Sequence, residues 1–224
     1  MQKLFIDFEP NGQITLNEEQ SRHIAKALRM KKGDMLTLTN GDGNDYGCQI
    51  NGVSGGLVTL SVCYKQANNS EPSVKVTLYQ GVPKASKLED VIQKCTELGI
   101  AAICPTLTHR SVSRPDEKQA KKKGERYKKI ALEAAQQSGR GIVPEIMDMT
   151  ELKKAVENDE SELKILFYEG GGESLKSIIP QDIKSVSVYI GPEGGFEESE
   201  VELIKSAGGK IASLGPRILR KQTA

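Results

Sequence analysis

From Val74 onward, short β-branched apolar runs alternate with amphipathic stretches of helical period, and this alternation constrains the fold more than any other feature of the chain. Residues 74–80 read as a strand. The spacing then predicts a helix over 84–98, with Leu88, Val91, Ile92, Cys95 and Leu98 facing inward and Gly99 as its stop. A buried strand over 100–104 ends at Pro105, and a basic helix over 116–138 turns Tyr127, Ile130, Ala131 and Ala134 inward, with Gly139 after it. A short helix from Thr150, strands over 163–168 and 185–190, a helix over 197–206 and a strand over 210–214 complete the pattern. Strands separated by helices pair in parallel, so the expectation is a mostly parallel sheet covered on both faces.

The first seventy residues follow another rule. Leu4, Ile6 and Phe8 alternate with polar neighbours, and Asn17 with Gln20 forms a capping-box start for a short helix ending near Met30. Strands over 35–39, 46–50 and 57–64 are separated by a Gly/Asn/Asp turn cluster over 40–45 and by Gly55 and Gly56. The result is a compact β-barrel-like module with one helix. Residues 66–73 lack periodicity and large apolar side chains and read as a linker, which divides the chain into 1–70 and 74–224.

In parallel α/β sheets ligands bind beyond the carboxyl ends of the strands. The loops there are glycine-rich: Glu169-Gly-Gly-Gly172, Gly191-Pro-Glu-Gly-Gly-Phe196 and Gly215-Pro-Arg-Ile-Leu-Arg220. One such glycine is ordinary turn chemistry, but three glycine-rich loops at one sheet edge point to a ligand held by backbone groups. No phosphate-binding loop of the G-x-x-x-x-G-K-[ST] type, no dinucleotide fingerprint and no G-x-S-x-G elbow occurs. Two isolated histidines make a hydrolase triad a poor fit. The cysteines Cys48, Cys63, Cys95 and Cys104 show no metal-ligand spacing and read as four buried thiols.

Charge sharpens the functional question. With 31 Lys and Arg against 30 Asp and Glu the formal net charge is +1, which excludes a polycation that coats nucleic acid indiscriminately. Four Phe, six Tyr and no Trp disfavour an aromatic base-stacking platform. Yet the charges are segregated: residues 84–140 carry 13 basic and 7 acidic side chains, 141–202 carry 5 and 15, and 203–224 carry 5 and none. Arg22, Lys26 and Arg29 lie at helical spacing, as a phosphate-binding ridge or a solvated face, and the same two readings apply to the cluster from Lys118 to Lys129.

The sequence also carries a family resemblance. Ile190-Gly-Pro-Glu-Gly-Gly-Phe196 with Glu200, and Leu214-Gly-Pro-Arg-Ile-Leu-Arg220, resemble the cofactor loops of the bacterial 16S rRNA uridine N3-methyltransferases of the SPOUT superfamily. His23-Ile-Ala-Lys-Ala-Leu-Arg-Met30, Glu97-Leu-Gly-Ile100 with Pro105, and Gln137-Ser-Gly-Arg140 with Val143-Pro144 recur in the family's order. The resemblance implies an α/β protein with an N-terminal PUA-like RNA-binding β-barrel and a C-terminal SPOUT domain closed by a trefoil knot. It implies a cytoplasmic homodimer that methylates N3 of a uridine in small-subunit rRNA with S-adenosylmethionine, without metal or membrane.

Carried onto this chain, the resemblance places the cofactor at Phe167, Tyr168, Glu169, Ile190, Gly191, Pro192, Glu193, Gly194, Gly195, Leu214, Gly215, Ile218 and Leu219. It points to RNA contact at Arg22, Lys26, Arg29, Arg110 and Arg140, while Arg220 and Arg217 are catalytic candidates on their position beside the cofactor loop, either as cations beside the uracil oxygens or as a phosphate clamp. Gln136 and Gln222 stand where the family carries acids, and family members continue past Ala224 through another helix. The alternatives are a catalytically silent RNA-binding protein of the same fold and a methyltransferase acting on a different RNA base.

Overall fold

A computed structural model of the chain describes residues 2–84 and 87–213. The described residues form two compact units: one runs up to Glu71 and takes in 135–143, and the other comprises Pro72–Ala134 and continues from Pro144.

The first unit is built on a five-stranded sheet. Its elements are β1 (Lys3–Phe5), β2 (Gln13–Thr15), α1 (Glu18–Arg22), β3 (Met35–Thr39), β4 (Asn44–Ser54) and β5 (Leu57–Ala67), with strand order β1-β3-β4-β5-β2. The Asn17/Gln20 capping box starts α1. The helix does not run on to Met30 but passes into a π-helical turn over His23–Ala27, after which Arg29 sits at φ +53. Register shifts in the β4–β5 pair at Gly47/Cys48 and Ile50/Gly52 raise its twist, which lets the sheet curl around its core. Leu4, Ile14, Leu16, Ile24, Leu36, Leu38, Cys48, Ile50 and Leu60 fill that core. At Gly47 the Tyr64 ring lies where a Cβ would stand, 2.1 Å away.

The region expected to be a linker is ordered by hydrogen bonds. Gln66 and Ala67 extend β5 opposite Asp45 and Asn44. The buried Lys3 ammonium donates to Asp45 Oδ1 at 2.7 Å and to the Gly139 carbonyl at 2.8 Å, and Asn68 Nδ2 donates to Asp45 Oδ2 at 2.9 Å. Glu71 accepts from Arg140 Nη2 at 2.5 Å and from the N–H groups of Gly141 and Ile142 at 3.0 and 3.2 Å. Burial pushes the Glu71 carboxyl up, but the hydrogen bond and charge of Arg140, with the two N–H groups, outweigh it and hold the group below its ordinary range. Phe8 is not an inward residue; it is exposed.

The second unit holds the expected parallel sheet. Its elements are β6 (Lys75–Gly81), α2 (Lys87–Glu97), β7 (Ala102–Leu107), α3 (Glu117–Ser138, which crosses into the first unit), β8 (Glu145–Ile146), β9 (Thr150–Glu151) and α4 (Leu152–Glu157). They are followed by β10 (Leu163–Phe167), β11 (Glu173–Ser174), α5 (Leu175–Ile178), β12 (Ser185–Ile190), α6 (Glu198–Ser206) and β13 (Lys210–Ser213). The strand order is β11-β13-β10-β12-β6-β7-β8, with β9 also on β7, and the pairs are parallel.

Side chains alternate across the sheet. Leu166 and Tyr189 join one core with Leu152, Val156, Phe196, Val201 and Ile204, while Ile165 and Val186 join another with Ile178 and Ala212. Tyr79 and Tyr189, register partners on β6 and β12, stack with ring centroids 4.7 Å apart. The Tyr189 hydroxyl donates to buried Asp159 at 2.7 Å, and burial together with that bond pushes it well above the phenol range.

Two inward assignments are corrected. Leu98 is 83% exposed, because α2 ends at Glu97 and Gly99, at φ +93, turns the chain before Leu98 completes the helical face. Thr96 is buried on that helix instead. Cys63 is exposed on the outer half of β5 and Cys95 is half-buried, so only Cys48 and Cys104 are the buried thiols expected. Burial pushes both of these up to about 11, and they stay protonated at neutral pH.

The threading that would close a trefoil knot involves residues after Ser213, outside the described residues.

Candidate functional site

Because the strands of the second unit run in parallel, β6, β7, β10 and β12 all deliver their carboxyl ends to one sheet edge. The connections leaving that edge pack on one another. In the loop after β12, the Gly195 N–H donates to the Pro192 carbonyl at 3.0 Å, and Gly195 sits at φ +68. A Cβ on Gly191 would lie 2.9 Å from the Gly195 carbonyl carbon, so the loop closes on its own backbone.

Neighbouring elements fix this loop from three sides. The end of β6 abuts it: Gly81 has no space for a Cβ beside Pro192, and the buried Gln80 amide donates to the carbonyls of Ile190 and Gly191, both at 3.3 Å. The connection after β7 reaches it through Arg110, whose Nη1 donates to the Gly194 carbonyl at 2.6 Å. Glu200, 3% exposed, accepts the Glu197 N–H on Oε2 and the His109 N–H on Oε1, each at 2.9 Å. One buried carboxylate thus ties the loop after β7 to the loop after β12. Glu193 accepts the Lys84 N–H at 3.2 Å and faces Lys87 Nζ at 3.6 Å.

The loop after β10 brings Tyr168 and Glu169 to the same edge. Gly172 crosses β13 so closely that a Cβ would meet the Ile211 carbonyl oxygen at 2.8 Å. The exposed Glu169 carboxylate lies 3.5 Å from where a Gly195 Cβ would stand, an ordinary contact distance, so the two loops meet there. Glycine backbone and a carboxylate therefore come together at this edge. That donor set fits a nucleoside held by backbone groups, with hydroxyl or ammonium groups for Glu169 to accept from.

Phe167 to Glu169 and Ile190 to Gly195 are thus brought together, and Arg110 joins them by holding their backbone. Leu214, Gly215, Ile218 and Leu219, with Arg217 and Arg220, lie outside the described residues. Arg22, Lys26 and Arg29 are exposed and belong to the first unit. Arg140 also belongs there, but it is only 3% exposed and its guanidinium is committed to Glu71, so it is not presented to a ligand in solvent. His109 has an exposed side chain 3.3 Å from Glu197.

Sequence reasoning did not single out Gln80 and Gly81. Gly81-Val-Pro83 is one more Gly/Pro loop at a strand end and could have been found by the same rule, whereas a lone glutamine in a strand carries no such signal. Among the described residues no cluster of His, Cys, Asp or Glu could hold a metal ion. No activated nucleophile lies on these loops, and the arrangement suits binding and orientation more than covalent catalysis.

Comparison with known proteins agrees with this geometry. Residues 69–224 match the model of an RNA methyltransferase domain and residues 16–63 that of an RNA methyltransferase PUA domain. The chain is 37% identical to the Bacillus subtilis ribosomal RNA small subunit methyltransferase E, covering 100% of this chain and 93% of that protein. It is 31% identical to the Synechocystis protein of the same name, over 94% of this chain and 69% of that one. Among solved structures, a Legionella pneumophila methyltransferase in complex with the cofactor SAM superposes with a TM-score of 0.90 at 31% identity, covering 98% of this chain and 91% of that one. The Neisseria gonorrhoeae ribosomal RNA small subunit methyltransferase E bound to S-adenosyl methionine gives 0.92 at 25% identity, covering 100% and 93%. Matched along its whole length by a named relative, and over more than half of it by the domain model, the chain belongs to the ribosomal RNA small subunit methyltransferase E family.

Proposed function

We propose that the chain methylates 16S rRNA with S-adenosylmethionine, at N3 of a uridine, and that the interlocked loops after β10 and β12 hold the cofactor. The observation that carries this reading is the meeting of the glycine loop after β12 with Glu169 of the loop after β10, at a sheet edge where the loops offer backbone groups and no nucleophile. The cofactor supplies an electrophilic methyl group on a sulfonium, so the protein's work is orientation.

Ile190 to Gly195 would hold the cofactor through main-chain groups, Glu169 through its carboxylate, and Phe167 and Tyr168 through their flanking position. Leu214, Gly215, Ile218 and Leu219 are proposed to complete the pocket. Uridine N3 carries an imide proton, and its loss leaves negative charge on the uracil oxygens. Arg220 and Arg217 are proposed as the cations that stabilise that charge.

RNA docking falls to Arg22, Lys26 and Arg29 on the PUA-like module of residues 1–70, with the methyltransferase domain over 74–224. In this reading Arg110 acts by holding the Gly194 carbonyl and Arg140 by pairing with the Glu71 carboxylate. Homodimerisation, a knotted C-terminal domain and a cytoplasmic location belong to the same proposal. Among the described residues no helix is long and apolar enough to cross a membrane.

The test is methyl transfer to small ribosomal subunits lacking the modification, with the product base mapped by mass spectrometry. N3-methyluridine is expected, and Arg220→Ala should abolish its formation while leaving cofactor binding measurable by calorimetry. A different modified base would redirect the substrate assignment. RNA binding without any cofactor binding would identify a silent RNA-binding protein and end the enzyme reading.

A further inference from the structure

Away from the cofactor loops, the second unit contains a cavity of about 450 Å³ lined by Glu89, Ser113, Gln119, Lys122, Lys123, Arg126 and Tyr127. Gln119, Lys122, Lys123 and Arg126 recur at three- and four-residue spacing on α3, which brings them onto one helix face. Glu89 of α2 and Ser113 of the loop before α3 also line it.

The polar groups of this cavity are mostly donors. Arg126 Nη2 donates to Glu89 at 2.7 Å, which uses the one carboxylate of the lining. Lys123 Nζ lies 3.5 Å from Ser113 Oγ, and Lys122 is exposed and makes no ion pair within reach among the described residues. Two ammonium charges are therefore left over beside a serine hydroxyl and a glutamine amide. Tyr127 is buried; burial first, and the Glu89 charge second, push its hydroxyl above the ordinary phenol range, so it stays an O–H donor. Such a lining takes an anionic oxygen ligand.

The surroundings show which anion. Lys118, Lys121 and Lys128 continue the positive charge along exposed positions of α3 over about 15 Å, while Lys129 pairs with Glu133 at 4.0 Å. A small anion needs one pocket, whereas a charged track of this length suits a polyanion. The helix is not part of the cofactor loops, and none of these residues binds them.

We propose that the cleft between α2 and the N-terminal half of α3 is a second RNA-backbone site, seating a phosphodiester of the rRNA substrate on Lys122 and Lys123. This rests on the RNA-methylating reading above and adds a contact that neither the glycine loops nor the exposed Arg22, Lys26 and Arg29 of the first unit provide.

The test is the binding of unmodified small ribosomal subunits across a range of salt, with S-adenosylmethionine affinity and melting temperature measured on the same samples. Lys122→Gln/Lys123→Gln should weaken subunit binding about tenfold and make the dependence of log affinity on log salt shallower by about 1. Cofactor affinity and melting temperature should not move. Lys122→Arg/Lys123→Arg keeps both charges and should keep wild-type binding. Unchanged subunit affinity and salt slope in the glutamine variant overturn the proposal. So does tight saturation of the wild-type cleft by inorganic phosphate that leaves subunit binding undisturbed, since the cleft would then be a small-anion site. If the wild-type protein binds neither cofactor nor subunits, the methyltransferase reading itself has failed.

Discussion

At the scale of single residues, Glu200 has an unusual burden. It is a buried carboxylate on α6, and each of its oxygens accepts one main-chain N–H, from His109 and from Glu197. Glu200→Gln replaces one oxygen by an amino group that meets a donor, leaving a buried N–H unpaired at a cost of about 2 kcal/mol. The expected outcome is a lowered melting temperature and S-adenosylmethionine binding weakened about tenfold, because 1.4 kcal/mol of misplacement is a factor of ten. Calorimetry that finds wild-type cofactor affinity would show that the link does not position the loop. Gly195 is constrained for another reason: at φ +68, a non-glycine residue costs about 1–2 kcal/mol, and its Cβ would touch the Glu169 carboxylate at 3.5 Å, with any larger side chain pressing on it. Gly195→Val should therefore lose cofactor binding more completely than it loses stability, a ratio that parallel calorimetry and thermal melts would read.

At the scale of elements, legibility followed length and periodicity. The strand over Ser185–Ile190 and the helix begun by Glu197 are long enough to show their periods, and they stand where the sequence put them. Strands β2, β8, β9 and β11 have two or three residues each, too few for a period to appear. The π-helical turn after Arg22 leaves no mark in composition, so the first helix was read through it to Met30. The glycine loops were legible as a site because chain-local composition announces them. The partners that hold them were not, because Gln80 and Arg110 act on residues more than 80 positions away, at distances only the fold creates.

The same holds for the segment after α3, where Arg140 and Gly141 meet Glu71 across 69 and 70 positions. Its folded carboxyl lies below the ordinary value, so the group contributes stability that is fully present above the carboxyl range of about pH 4.3 and is lost as pH falls through the lowered folded value. Glu71→Gln should cost about 3 kcal/mol at neutral pH by removing the carboxylate charge that faces the buried Arg140 guanidinium. It should also flatten the acid limb of the stability curve, since the variant no longer has this group to protonate. Denaturant melts of both proteins from neutral to acidic pH would show the gap between them narrowing with acid; a constant gap would mean that the charge of Glu71 contributes nothing.

For the whole molecule, the net charge of +1 hides two separate basic features, because the acids that cancel them are concentrated in 141–202. The exposed Arg22, Lys26 and Arg29 lie in the first unit and the Lys122/Lys123 cleft in the second. Chain-wide neutrality removes the long-range attraction that would hold any polyanion, so affinity for RNA must come from contacts made at fixed places. Each phosphate neutralised at such a place releases counterions and steepens the salt dependence by about 0.7–0.9. Arg22→Gln/Lys26→Gln should therefore make the slope for small-subunit binding shallower by about 1, and combining it with the two lysine substitutions in α3 should double that change. The log affinities should add, because the two sets lie in different units and share no hydrogen-bond or ion-pair partner among the described residues, and substitutions without shared partners behave independently. A combined variant no weaker than either pair alone would mean that only one of the two features meets the RNA. Additive slopes with unchanged cofactor affinity would place both features on one substrate.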